Sequence, residues 1–321
     1  MMDPNTPSFM LPPQASTLAP SYDLLYLSIT YLCIFCFVLI MGAMTYFVYK
    51  YRYRGGEHKA VEITHNTTLE IAWSVIPLFV VIGLFVWGFR LYLDMAIAPR
   101  DAMEVRVIGQ KWVWNFEYDN GATSSKEFAV PIGKPVKLVM TSRDVLHSFY
   151  VPSFRNKMDV VPNRYTTLWF QATQLGDQQV FCAEYCGLDH SGMLAQVHVL
   201  SEPAFEKWVK DHSEDKNAAP HERGKKIFNG KGGCMACHSV KSEAEQPQPV
   251  IGPRLYQAFG RTEKFTDGTT GVVTENYIRE SIEMPNAKTV AGFAAGAMPT
   301  FKGVLNDQEI GDLIAYIKTL K

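Results

Sequence analysis

The chain has 321 residues, with 31 Lys and Arg against 32 Asp and Glu and a net charge of -1. That balance excludes the basic footprint of a nucleic-acid binder. A composition of 47% hydrophobic and 20% charged residues excludes a disordered chain, and the length suits two or three domains of roughly 100–150 residues.

Charge is unevenly spread: residues 1–92 hold ten of the 63 charges and residues 93–321 hold 53. Residues 24–49, LLYLSITYLCIFCFVLIMGAMTYFVY, carry none. As a helix at ~1.5 Å per residue they reach about 39 Å, beyond the roughly 30 Å hydrocarbon core of a bilayer. Residues 71–89, IAWSVIPLFVVIGLFVWGF, are equally uncharged. They read as a second span, in which Pro77 is tolerated. No Lys or Arg precedes Lys50, and the connecting loop holds Lys50, Arg52, Arg54 and Lys59. Positive residues stay inside, so both termini are expected outside. The first 20 residues lack the basic start of a cleaved signal peptide, so a signal-anchor hairpin is expected. Cys33 and Cys36 form C-x-x-C within the first span. Without a βαβ context they read as small packing residues.

Beyond the spans the pattern alternates. In KWVWNFEY (111–118), Trp112, Trp114, Phe116 and Tyr118 share one strand face, and Val113, Asn115 and Glu117 the other. Further β-rich runs occupy 135–141, 166–172, 178–183 and 194–200, with turn signals between them. Short strands at this spacing predict an antiparallel sandwich or barrel of about 100 residues.

One loop of that domain, FCAEYCGLDHSGM (181–193), offers Cys182, Cys186, His190 and Met193, and His147 lies upstream in DVLHSFYVP. Thiolate, imidazole and thioether together favour copper. A mononuclear blue-copper site needs one cysteine, and here there are two. Two four-coordinate coppers need eight bonds. Two bridging thiolates give four, two imidazoles two, Met193 one and a backbone carbonyl the last. A Cys2His2 zinc site and a disulfide remain alternatives, and Met193 speaks against zinc.

With these residues the chain resembles subunit II of the haem–copper cytochrome c oxidases. The match runs through C-x-E-x-C-x-x-x-H-x-x-M at 182–193, SRDVLHSF at 142–149, QKWVWNFEY at 110–118 and the N-terminal hairpin. The resemblance implies a cupredoxin-like Greek-key β-barrel. It also implies a binuclear CuA centre held by His147, Cys182, Cys186, His190, Met193 and the Glu184 carbonyl. It further implies a magnesium ion on the Glu184 carboxylate at the contact with subunit I. Trp112 would be the aromatic through which electrons arrive, and Glu70 would stand at the mouth of a proton path into subunit I. On residues alone, Trp112 reads as a packed tryptophan and Glu70 as a solvated helix end. Quinol oxidases have a similar subunit that lacks the copper ligands, whereas this sequence keeps all of them.

Residues 201–220 read as a short amphipathic helix, roughly 203–212, followed by a polar, Pro-ended linker. Then comes C-M-A-C-H at 234–238, the c-type haem attachment signature. Cys234 and Cys237 would bind one haem covalently, and His238 would be its proximal ligand. A redox C-x-x-C and half a zinc site are the alternatives. A helix is expected over 222–232 and another over 305–320, the latter with Ile310, Leu313, Ile314 and Ile317 on one face and Asn306 or Asp307 at its start. This part resembles a class I cytochrome c domain. That resemblance implies Met298 as distal ligand, with Met284 as rival, and implies that the Pro253 carbonyl orients the proximal histidine. His/Met ligation raises the haem potential.

The expected architecture is therefore multidomain: a two-helix transmembrane hairpin (24–92) after an external N-terminal segment (1–23), a CuA domain (93–200), a linker (201–220) and an all-α cytochrome c domain (221–321). The whole resembles subunit II of the caa3-type oxidases. The implied relay accepts electrons on haem c and passes them through CuA to subunit I. Nothing in this chain resembles the oxygen-reducing site, so it is a subunit of the oxidase and not the whole catalyst. Expected partners are subunits I and III, a cytochrome c or membrane respiratory donor, and the lipid bilayer, with no nucleic acid. The expected location is the bacterial cytoplasmic membrane with both redox domains on the periplasmic side. A free-standing carrier, a copper-assembly protein and a nitrous oxide reductase are alternative classes. The last needs a histidine-rich cluster, and His58, His65, His198, His212 and His221 are scattered.

Overall fold

The computed structural model describes residues 10–55, 64–213, 218–246 and 250–321. Lys59, part of the charge argument for the loop, and His58, one of the scattered histidines, lie outside the described residues, as does part of the polar linker.

Two long helices open the chain: α1 (Ala19–Tyr51) and α2 (Thr67–Ala96). Their long apolar stretches, left exposed, fit a membrane pair. Both run past the uncharged stretches, and the extra turns have a use. The start of α1 buries Asp23 against the following domain, and the end of α2 buries Leu91 there. The Trp169 indole donates to the Asp94 carbonyl at 3.0 Å. Asn66 caps α2 by accepting from Leu69 N–H at 3.1 Å. Residues 10–18 lie along the same domain: Ser16 bridges Ala172, and Thr17 N–H donates to the Gln171 carbonyl at 3.1 Å.

Ten strands follow: β1 (Met103–Gln110), β2 (Val113–Tyr118), β3 (Thr123–Ser125), β4 (Glu127–Pro131), β5 (Pro135–Ser142), β6 (His147–Val151), β7 (Asn156–Val160), β8 (Thr166–Gln171), β9 (Gly176–Cys182) and β10 (Leu194–Leu200). They form two five-stranded sheets, ordered β3-β2-β1-β5-β8 and β4-β10-β9-β6-β7. The pairs β1–β5 and β4–β10 are parallel and the rest antiparallel, as long Greek-key connections allow. Between the sheets lie Trp114, Phe116, Phe128, Phe149, Leu138 and Phe170, all fully buried. The Phe116 and Phe128 rings stack at 4.3 Å, and Trp114 meets Phe149 edge-on at 5.1 Å. Truncating one such ring costs about 3–5 kcal/mol.

Strand β2 starts one residue later than the alternation suggests. Trp112 sits in the turn before it, and Val113 and Asn115 are buried as well as Trp114 and Phe116. Both faces of β2 are covered because the C-terminal domain lies against it.

Helix α3 (Glu202–His212) leads out of the barrel. The C-terminal domain holds α4 (Pro220–Asn229), a 3-10 turn at Cys234–Ala236, the hairpin β11 (Thr262–Lys264) and β12 (Thr270–Val272), α5 (Glu275–Glu283) and α6 (Asp307–Thr319). The helix expected over 222–232 ends at Asn229, because Gly230 leaves helical geometry. Asn306 and Glu309 form a capping box that starts α6. Ile310, Leu313, Ile314 and Ile317 are buried on its inner face, which packs on Ile227 and Phe228 of α4. Arg223 of α4 holds Asp312 of α6 through two 2.7 Å hydrogen bonds.

Candidate metal centre and haem pocket

Strand register builds the first site. β6 and β9 are antiparallel neighbours with Phe149 opposite Cys182, and Ala183 N–H donates to the Ser148 carbonyl at 2.9 Å. His147, at the start of β6, and Cys182, at the end of β9, therefore face one another. The loop back to β10 carries Cys186, a 3-10 turn at His190–Gly192, and Met193.

Five donor side chains and one backbone carbonyl converge there. The Cys182 and Cys186 sulfurs are 3.8 Å apart with no bond between them, against about 2.05 Å for a disulfide. His147 Nδ1 is 3.9 Å from Cys182 Sγ, and His190 Nδ1 is 3.5 Å from Cys186 Sγ. Met193 Sδ is 3.8 Å from Cys186 Sγ, and the Glu184 carbonyl is 3.2 Å from Cys182 Sγ. His147 and Met193 are fully buried. The Glu184 carboxylate is exposed, as are Tyr185 and Leu188 beside it. His147, Cys182 and Cys186 alone make a group able to hold a metal ion. A buried thioether completing a set of thiolates and imidazoles fits copper better than zinc.

Electrostatics prepare the sulfurs unequally. Burial pushes the Cys182 thiol up, but hydrogen bonds from His147 and the backbone outweigh it and hold Cys182 at about 6. Burial and the neighbouring Cys182 charge push Cys186 up to about 12. A metal ion would take both as thiolates and release their protons. Asp144 accepts from Lys111 N–H at 2.7 Å and lies 2.9 Å from His147 Nε2, which fixes the imidazole with Nδ1 toward the sulfurs. The Trp112 ring lies against Gly187 of the loop, where a Cβ would meet it at 3.3 Å. Trp112 is 6% exposed, and its indole N–H has no partner among the described residues. Glu70 is exposed near the start of α2, where its carboxylate accepts from Asn66 N–H at 3.3 Å.

The second site is a largely apolar cavity of about 160 Å³, partly open to solvent. Cys234, Cys237, His238 and Met298 line it, with Phe228, Leu255, Ile278 and Phe301. His238 Nδ1 donates to the Pro253 carbonyl at 2.7 Å, leaving Nε2 as the lone-pair nitrogen. Burial pushes His238 down, which keeps the ring neutral and ready to ligate. Met298 accepts a weak 3.9 Å bond from the Ser281 hydroxyl. Met284 is 53% exposed and does not line this cavity. Two sulfurs, an imidazole and a thioether line one largely apolar cavity, a donor set that would fit a flat apolar group of the kind the sequence signature implies. Gln110, Lys111 and Val113 of the barrel also line this cavity, a feature with no counterpart in the sequence reading.

Comparison with known proteins agrees along the chain. Residues 4–91 match the family model for the cytochrome c oxidase subunit II transmembrane domain, residues 122–200 its periplasmic domain, and residues 221–321 cytochrome c. Cytochrome c oxidase subunit 2 of Alkalihalophilus pseudofirmus is 28% identical over 311 residues, covering 94% of this chain and 87% of the relative. Cytochrome c oxidase subunit 2 of Thermostichus vulcanus is 30% identical over 257 residues, 63% of this chain and 78% of the relative. The alternative cytochrome c oxidase subunit 2 of Bradyrhizobium diazoefficiens is 31% identical over 207 residues, 55% and 74%. The chain belongs to the cytochrome c oxidase subunit II family.

It is a subunit II with a fused cytochrome c domain, of the caa3 type, and a component of an oxidoreductase complex built around subunit I. As a subunit II it is a membrane protein with a periplasmic domain. The family implies copper for the barrel and haem for the C-terminal domain. The sequence of this subunit II does not reveal that Asp144 holds His147, or that the barrel helps to line the haem cavity. Asp144 stood within a quoted motif without a role, and the contribution of the barrel to the haem cavity depends on how two distant stretches meet.

Proposed function

We propose that this subunit II takes electrons onto a covalently attached haem c and relays them through a binuclear CuA centre to subunit I. The observation that carries the reading is the convergence of His147, Cys182, Cys186, His190, Met193 and the Glu184 carbonyl at one buried point. Bound copper and haem iron would supply one-electron carriers that change charge with little rearrangement. The protein's part is to hold them rigid and dry. Strands β6 and β9 fix His147 and Cys182, and the β9–β10 loop wraps the remaining donors. Cys234 and Cys237 tether the haem, His238 and Met298 ligate its iron, and the Pro253 carbonyl sets the imidazole.

Trp112, buried against the copper loop, is assigned to conduct electrons to the centre. The exposed Glu184 carboxylate is assigned to magnesium at the contact with subunit I, and Glu70 to the mouth of a proton path there. The Lys50, Arg52 and Arg54 cluster supports a hairpin with its loop in the cytoplasm and both termini outside. The domain limits follow the sequence: 24–92, 93–200, 201–220 and 221–321. Subunit III completes the expected partners, and a soluble cytochrome c or a membrane respiratory complex is the donor. Tethering raises the effective concentration of the cytochrome at the copper domain.

Quantitative copper, zinc and covalent-haem analysis of the purified full chain tests this. Two coppers and one haem per chain are expected, with a paramagnetic signal split by two equivalent copper nuclei. Zinc, or one copper without that splitting, would reduce the chain to a tethered cytochrome.

A further inference from the structure

The turn between α4 and the haem-attachment cysteines rests on the edge of the barrel. A Cβ on Gly230 would meet Thr123 Oγ1 at 2.9 Å and the Thr123 carbonyl at 3.2 Å. A Cβ on Gly233 would meet Asn115 Oδ1 at 2.9 Å, and Ser125 Oγ and Val113 Cγ1 at 3.4 Å. Gly233 also has φ +60°, a left-handed conformation that favours glycine. The turn thus approaches β2 and β3 more closely than side chains would allow.

A hydrogen-bond relay closes the contact. Ser125 Oγ lies within bonding distance of both Asn115 Oδ1 and the Gly230 carbonyl. One hydroxyl hydrogen cannot serve two acceptors. Turning the Asn115 amide over resolves this, because its Nδ2 is buried without a partner. Nδ2 then donates to Ser125 Oγ, and Ser125 donates to the Gly230 carbonyl. Asn115 and Ser125 are 1% and 5% exposed, so the relay is shielded from water. Around it, Ile251 and Ala297 pack against the barrel's apolar cluster, and Gln110, Lys111 and Val113 line the haem cavity. The contact draws on five separated stretches, two of the barrel and three of the C-terminal domain.

We propose that the Asn115–Thr123–Ser125 edge is a built socket for the Gly230–Gly233 turn, which docks the haem domain at one fixed place on the barrel. The domain is seated, not swinging on its linker. The inference rests on the reading above for the identity of the two cofactors, whereas the seating itself concerns side chains of the chain.

The test uses the full chain loaded with haem and copper. Thr123→Arg sets a long charged side chain against Gly230, and Ser125→Ala removes only the hydroxyl that joins the domains. Both are expected to keep the haem and copper spectra. In Thr123→Arg, amide hydrogen exchange of residues 123–125 and 229–233 should accelerate about tenfold or more. The haem-to-copper transfer rate after rapid haem reduction should fall about tenfold or more. Ser125→Ala should move both in the same direction by less, and it decides the matter if the larger substitution disturbs either spectrum. Unchanged exchange and rate with both spectra intact would overturn the socket. A wild-type chain without the two-copper signal would defeat the copper reading instead, and the exchange comparison would still report on the seating.

Discussion

Arg155 grips Asp23 with two hydrogen bonds, Nε to Oδ1 at 2.7 Å and Nη2 to Oδ2 at 2.9 Å, in a pair whose side chains are 3% and 8% exposed. The same guanidinium donates to the carbonyls of Pro12, Pro13 and Pro152, and Gln14 donates to Asp23 Oδ2 at 2.8 Å. A membrane helix, the segment before it and the barrel are thereby fixed at one point. Removing one partner strands a buried charge, at about 3–5 kcal/mol. Asp23→Ala should therefore loosen the barrel from α1, seen as faster amide exchange over 10–18 and 152–155 and a lower unfolding midpoint. Exchange as slow as in the wild type would show that the pair does not hold the seam.

Met298 and Met284 separate cleanly by position. Met298 shares the cavity of His238, and Met284 is half exposed outside it. Met298→Ala should turn the haem high-spin and lower its potential, while Met284→Ala should leave the visible spectrum unchanged. The opposite pattern would move the distal ligand to Met284 and require the 284–298 loop to refold around the haem.

In the copper loop, Met193→Leu keeps the volume of a fully buried side chain and removes its sulfur. The copper spectrum and potential should shift while covalent haem per chain stays at one. A normal copper spectrum would remove Met193 from the donor set.

The parts of this chain that were legible are those whose chemistry demands fixed spacing. C-M-A-C-H and the 182–193 loop bring their donors together over short stretches, so letters alone point to them. The spans were legible from absent charge. Asp23, the only charge between residues 10 and 49, was a signal left unread, since a lone carboxylate beside a membrane span calls for a partner. Its partner Arg155 is 132 residues away, which no local pattern reports. The parallel pairing of β1 with β5 and the covering of β2 on its second face are likewise long-range facts. Asn115 and Ser125, polar residues among apolar ones, marked the socket only once the Gly230–Gly233 turn was seen against them.

His198 links three elements of the barrel and its exit helix. Its Nδ1 lies 2.7 Å from Asp177 and its Nε2 3.2 Å from Glu127, which also stands 4.0 Å from His212 of α3. Burial alone would lower its pKa, but the two carboxylates together raise it. A group raised on folding stabilises most below its unfolded value of about 6.5 and loses that contribution as pH rises through the folded value. The carboxylates are about half exposed, so solvent screens the effect. The unfolding midpoint should therefore decline modestly as pH rises above about 6.5, and His198→Gln should flatten that decline. An equal slope in the variant would assign it to other groups.

The α4–α6 crossing decides whether the haem domain forms at all. At Gly224 the two helices touch backbone to backbone: a Cβ there would stand 1.9 Å from the Asp312 carbonyl oxygen and 2.9 Å from Tyr316 Cβ. Those neighbours are helix backbone and a side-chain root, so nothing flexible can yield, and the helices must part. Parting them strains the Arg223–Asp312 pair and opens the apolar contact of Ile227 and Phe228 with Ile310, Leu313 and Tyr316. Overpacking of this kind costs roughly 1–3 kcal/mol or more. Gly224→Ala should therefore reduce covalent haem per chain and lower the midpoint of haem-domain unfolding, with copper content unchanged because the barrel has its own core. Full haem attachment with a wild-type midpoint would mean that the crossing relaxes without cost.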